Sequence, residues 1–376
     1  MTDSTPEQDN IEGIDDSTGQ GWGSYPLEAV FVRNEIRTVG EVVRRIEAKR
    51  YVLNPDFQRD FVWNPDKQSR LIESCLMRLP LPVFYVAEAK DGRIIVVDGL
   101  QRLTTFKLFL ANKFSLHLPE DHQDPNIKKV SLNQHYFKDL SITLQERILD
   151  TQLILYILDA NAPERAKLDI FERVNGGEAL TRQQMRNCLY NGQATRWLQQ
   201  TAELESFKDS TSQTFSSKTM RDREAVNRFC GFRLLGINEF KGDLDIFLAE
   251  TLEHMNKMSS TDLSDLQADF DRSMKHNMML FGKHAFRKSL CDLSGSERRS
   301  IINIALFDVC SVIFSEINTI NTEQLINKKQ AIQEAFAQLL QNDDFLDTIT
   351  SSTTMKTKVI RKFTLARQTL DGALTC

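Results

Sequence analysis

The stretch Asp98-Gly99-Leu100-Gln101-Arg102 puts an acid, a glycine and a base within five residues, where a β-branched run gives way to a helical pattern. Ile94 to Val97 reads as a buried strand. Leu103, Phe106, Phe109 and Leu110 then recur at helical spacing, so the turn between them opens a helix. At such a start the first backbone N–H groups have no intrahelical partner, Gly99 lets the backbone approach a ligand closely, and Arg102 adds a cation. Those groups together suit a phosphate or another anion. A cation in the first turn opposes the helix dipole unless something negative offsets it. Two partners are open: a bound anion, or Asp98 or another local carboxylate closing an ordinary strand-to-helix turn.

The elements that must hold this turn follow from the flanking pattern. Val39 to Lys49 predicts a short helix and Arg50 to Leu53 a short strand. Asn64 can cap, and Pro65 open, a helix whose Leu71, Ile72, Cys75, Leu76 and Leu79 make a buried stripe. Pro80-Leu81-Pro82 ends that helix, Val83 to Val86 is a strand, and Asp91-Gly92 is a hairpin-type turn leading back to Ile94. Phe114 to Leu118 and Leu153 to Leu158 are further strand candidates around a polar insertion at 119–152. From Pro163 onward the pattern is almost wholly helical, with Thr181 and Gln184 spaced as a capping box and amphipathic stretches continuing to about 371. The fold class expected is α+β, a small mixed-sheet domain over 25–160 followed by a larger all-helical domain over 161–376.

The chain has 376 residues, enough for two or three domains, and 23 Phe to fill their cores. Its formal charge of −5 conceals an asymmetry: residues 1–20 hold six carboxylates and no Lys or Arg, which leaves the remainder at +1. This acidic start, poor in large apolar residues, reads as a disordered tail over 1–24. The six cysteines are scattered without a C-x-x-C pair, as expected for reduced thiols in the cytoplasm, and no apolar run approaches 18 residues. G-x-x-x-x-G-K-[ST], G-x-G-x-x-G, H-E-x-x-H and G-x-S-x-G are all absent, and the six His lack zinc-ligand spacing.

Two more constellations crowd polar and aromatic groups at helix ends: Gln58, Arg59 and Trp63, and Phe171, Arg173, Asn175, Gly176 and Gly177. Singly they read as a Trp-anchored loop and a glycine C-cap. In order, Phe57-Gln58-Arg59-Asp60-Phe61-Val62-Trp63, Leu71-Ile72-Glu73-Ser74, Leu79-Pro80-Leu81-Pro82, Val97-Asp98-Gly99-Leu100-Gln101-Arg102-Leu103 and Phe171-Glu172-Arg173-Val174-Asn175-Gly176-Gly177 carry a resemblance. Over about 35–190 the chain resembles the N-terminal domain of the GmrSD-type, modification-dependent restriction endonucleases, whose core is similar to the ParB/sulfiredoxin fold.

That resemblance implies nucleotide binding, in several members with hydrolysis, coupled to DNA restriction and phage defence. The family's Asp-Gly-Gln-Gln-Arg signature maps onto Asp98 to Arg102, with Leu100 replacing the first Gln. The cofactor expected is a nucleoside triphosphate with Mg²⁺, held by Gln58, Arg59, Asp98, Gly99, Leu100, Gln101, Arg102, Arg173 and Asn175. Asp98 would carry the metal through water. Hydrolysis would call on Asp98, Arg102 and Glu73, with Asn175 a further candidate for placing water. Longer family members add a His-Me-finger nuclease with a His-x-x-Pro motif. Here His122 fits that pattern inside the N-terminal region and no His follows residue 290, so any cutting is expected from a separate nuclease chain.

Lys356, Lys358, Arg361, Lys362 and Arg367 fall in one helical stretch with no acid before Asp371, either a DNA-phosphate face or a solvated helix face. A second, mixed patch is Lys218, Arg221, Arg223, Arg228 and Arg233. The leading expectation is an NTP-binding component of a DNA restriction system, with DNA as partner, no membrane, and self-association open. The alternatives are a ParB-like DNA-binding or nicking protein whose turn holds a DNA phosphate, and a scaffold with a degenerate pocket.

Overall fold

The computed structural model describes residues 11–14, 32–53, 63–118, 132–163, 166–170, 181–292, 299–317 and 322–375. By internal contacts the chain forms two compact units, Gly21–Leu180 and Met1–Gln20 together with Thr181–Cys376. The fold is α+β, as expected.

A two-residue strand, β1 (Ile11–Glu12), comes first in the chain and belongs with the helical unit. In the other unit, β2 (Val32–Thr38), α1 (Val39–Glu47), β3 (Tyr51–Val52), α2 (Pro65–Leu76), β4 (Phe84–Glu88), β5 (Ile94–Asp98), α3 (Leu100–Leu110), α4 (Ile142–Leu149) and β6 (Gln152–Leu158) follow in order. The five strands of this unit lie in the order β2-β6-β4-β5-β3. Antiparallel β2/β6 and β4/β5 pairs alternate with parallel β6/β4 and β5/β3 pairs, so the sheet is mixed.

Alternation along the strands determines the core. Phe84 and Val86, Ile94 and Val96, and Leu153, Leu155 and Ile157 join Leu103, Phe106 and Phe109 of α3 and the apolar faces of α1 and α2 in one buried cluster. Asn64 caps α2, its Oδ1 accepting from Lys67 N at 2.9 Å, and Pro65 opens the helix, as predicted. Thr38 caps α1 in the same way through Glu41 N.

Three sequence expectations change here. Phe114 to Leu118 joins no strand of the sheet; Leu116 instead exchanges backbone hydrogen bonds with His135 and Gln134. Strand β2 carries Arg33, Glu35 and Arg37, which hid it from a hydrophobic pattern; these pair with one another and with Glu41 and Glu88 along a sheet edge. Helix α4, of whose own residues only Ile148 is buried, lies inside what read as a polar insertion.

The helical unit contains α5 (Arg182–Leu189), α6 (Gln193–Ala202), α7 (Glu205–Thr211), α8 (Arg221–Leu234), α9 (Leu244–Met255), α10 (Ser260–Phe281), β7 (Ile302–Asn303), α11 (Ile304–Ser315), α12 (Thr322–Asn327), α13 (Lys329–Leu339), α14 (Asp343–Thr350) and α15 (Lys356–Thr375). The expected capping box opens α5, with Thr181 and Gln184 exchanging side-chain to backbone bonds. Every residue of α11 is buried, which makes it the unit's central helix. Phe207, Phe215, Phe270, Phe286 and Phe307 stack edge and face around it.

The unit is not all-helical, since β7 pairs in parallel with β1. Those two residues belong to the stretch expected to be a disordered acidic tail. Ile11 packs on the helical core and Glu12 Oε1 meets Lys288 Nζ at 2.6 Å, so the acid has a basic partner within the fold.

Candidate functional site

The strand-to-helix turn forms as the sequence predicts. Strand β5 ends at Asp98, Gly99 takes φ +94°, and α3 begins at Leu100. A left-handed φ favours glycine, and space demands it as well: a Cβ on Gly99 would lie 2.7 Å from Phe84 Cε1 and closer still to Cδ1. Phe84 anchors β4 in the core, so the turn is pressed onto a rigid ring. The first intrahelical bond runs from Leu103 N to Gly99 O at 2.9 Å, and Gly99 supplies no side-chain cap. The N–H groups of Leu100, Gln101 and Arg102 form the first turn, whose partners in an α-helix must come from outside it.

Arg102 resolves the question of the dipole. Its Nη2 meets Asp98 Oδ2 at 2.7 Å and Val83 O at 3.1 Å, and its Nη1 donates to Pro82 O at 2.5 Å. The guanidinium also lies 4.1 Å from the centre of the Phe84 ring. Burial pulls its pKa below the usual arginine value, with Asp98 opposing that shift. At 12% side-chain exposure, Arg102 is a clamp between the turn and the segment entering β4, while Asp98 stays 36% exposed at the rim. The local carboxylate, the structural alternative of the sequence reading, is thus its partner. Sequence reasoning missed Pro82, Val83 and Phe84, and the nearest signal was the Pro-Leu-Pro run leading into a strand.

Next to the turn the sheet carries an aromatic pair. Tyr85 is the register partner of Asp98 across β4/β5 and of Tyr156 across β4/β6. The two rings stack with centroids 5.5 Å apart and 26° between planes.

Other expected site residues divide into two groups. Glu73 is half-buried on α2, which packs against α3. Gln58, Arg59, Arg173 and Asn175 lie outside the described residues. Among the described residues no group of three or more His, Cys, Asp or Glu is placed to hold a metal ion, so Asp98 is not part of such a three-ligand set there.

The basic helix α15 is largely neutralised. Lys358 meets Asp347 at 2.9 Å, Arg361 meets Asp344 at 2.5 Å, and Arg367 meets Glu316 at 2.5 Å, while Lys356 is exposed. Lys362 must be corrected outright, because it is 0% exposed and cannot face DNA. It belongs to a buried cluster in which Arg228 grips Asp308 with bonds of 2.8 and 2.5 Å and Lys362 Nζ approaches the same carboxylate at 3.4 Å. Burial lowers the Lys362 pKa to about 8 against the attraction of Asp308. The mixed patch is partly internal: Arg221, paired with Glu224, and Arg223 and Arg228 are buried, whereas Arg233, paired with Asp269, is half-buried and Lys218 is exposed.

The turn and all strands of its sheet except β2 lie within a family match. Residues 39–191 match the family model described as the GmrSD restriction endonuclease, N-terminal domain. The match covers less than half of the chain, from α1 through α5, and includes the Asp98–Arg102 turn, Glu73 and the Tyr85–Tyr156 pair; α15 lies beyond it. It supports a role for this chain in a restriction or phage-defence system. No curated protein and no solved structure matched. The GmrSD-like region therefore contains the anion-suited turn, and the basic helix is not part of it.

Proposed function

We propose that the chain is a nucleoside-triphosphate-binding component of a DNA restriction system, with the N-terminus of α3 taking the phosphates. The observation that carries this reading is the Gly99 turn: left-handed, without a side-chain cap from Gly99, pressed against Phe84 and opening a helix inside the GmrSD-like region. Backbone N–H groups there suit phosphate oxygens, and the helix dipole favours negative charge. Leu100 costs nothing in this scheme, because the N–H groups come from the backbone.

Arg102 acts by positioning. It ties the turn to Pro82 and Val83 and has Asp98 as its counter-ion. Asp98 would hold Mg²⁺ chiefly through the nucleotide, since Mg²⁺ keeps several waters and is bound by one or two carboxylates plus substrate phosphates. Hydrolysis, if the domain performs it, would use Glu73 or Asp98 to place water, and DNA cutting would fall to a nuclease partner.

A second reading, an empty scaffold, draws support from the saturation of Arg102 by protein groups. Calorimetry with ATP, GTP, CTP and UTP, with and without Mg²⁺, separates the two. Micromolar binding of at least one nucleotide is expected, and silence for all four in folded protein favours the scaffold.

A further inference from the structure

We infer that Tyr85 and Tyr156 form a stacking platform for the base of the nucleotide, resting on the reading of the Gly99 turn as its phosphate site. The pair lies on the sheet face that α1, α2 and α3 do not use. Phe84 and Val86 flank Tyr85 and point into the helix-side core, as Leu155 and Ile157 flank Tyr156. Strand alternation therefore sends both rings to the opposite face.

That face is covered on one side of the pair, where Ala87, Leu158 and Ile95 are buried, and exposed on the other, toward β2, with both rings half-buried between. Ile36 is 65% exposed and Ile154 40%, and these two are register partners at the same end of the sheet. Asn34 is the register partner of Tyr156 and brings an amide to the edge of the platform. Among the described residues the two rings contact no other aromatic.

The placement links the platform to the phosphate site. Tyr85 is opposite Asp98, one residue before Gly99, and two residues after Val83, whose carbonyl accepts from Arg102. A phosphate at the start of α3 and a base against Tyr85 thus flank one short piece of backbone. Aromatic faces stack on every base, so this contact adds affinity with little base preference, and the Asn34 amide would supply what preference there is.

The test is calorimetric titration of ATP and of inorganic tripolyphosphate into wild type, the double variant Tyr85→Ala/Tyr156→Ala, and the double variant Tyr85→Phe/Tyr156→Phe. The alanine pair is expected to weaken ATP about tenfold or more and to leave tripolyphosphate within about twofold, with the phenylalanine pair close to wild type. Unchanged ATP affinity in the alanine pair overturns the platform while leaving the phosphate site standing. Equal loss for ATP and tripolyphosphate overturns it too, as a general effect on the sheet. If wild type binds neither ligand, the phosphate reading fails and takes the platform with it.

Discussion

Substituting Gly99 by Ala tests the turn most sharply. The new Cβ would meet the Phe84 ring at well under van der Waals distance, and φ +94° would be imposed on an L-residue. Left-handed backbone costs about 1–2 kcal/mol for a non-glycine residue. Overpacking a rigid core adds about 1–3 kcal/mol. The sum, about 2–5 kcal/mol, should appear where the turn is anchored. Native-state hydrogen exchange of the Val96, Leu103 and Phe106 amides measures it, and exchange about 30-fold faster or more is expected. Adding Phe84→Ala removes the ring that the Cβ strikes. In a double-mutant cycle it should recover about 1–3 kcal/mol of the Gly99→Ala cost. Exchange within threefold of wild type in Gly99→Ala, or a cycle with no coupling, would refute the claim that Phe84 locks the turn.

Arg102→Ala removes an ion pair, two bonds to backbone carbonyls and a ring contact, and should cost about 2–4 kcal/mol by denaturant unfolding. Arg102→Lys should recover only part of that, because an ammonium cannot fork between Asp98 and two carbonyls. Lys362 titrates at about 8 in the fold against an ordinary 10.5. Between those values the unfolded chain holds a proton that the fold has released, so stability from this group rises from about pH 8 to 10.5, and below pH 8 its full cost is present. Lys362→Met should therefore stabilise the helical unit at pH 7 by about 1–3 kcal/mol and flatten this rise in thermal melts. Asp308→Ala leaves Arg228 and Lys362 buried without their shared anion, and loss of about 3–5 kcal/mol is expected. Replacing Lys358, Arg361 and Arg367 together by Ala should change DNA affinity and its salt slope little, as each already has a carboxylate partner; a slope reduced by about three would show those pairs opening for DNA.

The residues that chemistry singled out were those best read from sequence. Consecutive β-branched residues, Asp-Gly, and then helical spacing gave the β5–Gly99–α3 turn its bounds to within a residue, since each signal acts locally. Asn64-Pro65 and Thr181 with Gln184 were legible for the same reason. Arg102 was not: its partners Pro82 and Val83 are some twenty residues away and accept through backbone carbonyls, which leave no side-chain signature. Strand β2 was hidden because edge position permits charges that a central strand would exclude. Lys362 misled because its neighbours in sequence are basic and exposed, whereas its neutralising Asp308 comes from the core of α11. The Tyr pair was invisible for want of a strand register, as Tyr85 and Tyr156 are 71 residues apart and meet only across the β4/β6 pairing.

The most direct test of the phosphate site is amide hydrogen exchange with and without saturating ATP and Mg²⁺. Protection is expected to concentrate at Leu100 to Arg102, whose first-turn N–H groups would meet phosphate oxygens. Nucleotide binding that leaves those amides unchanged while protecting another region would contradict the account.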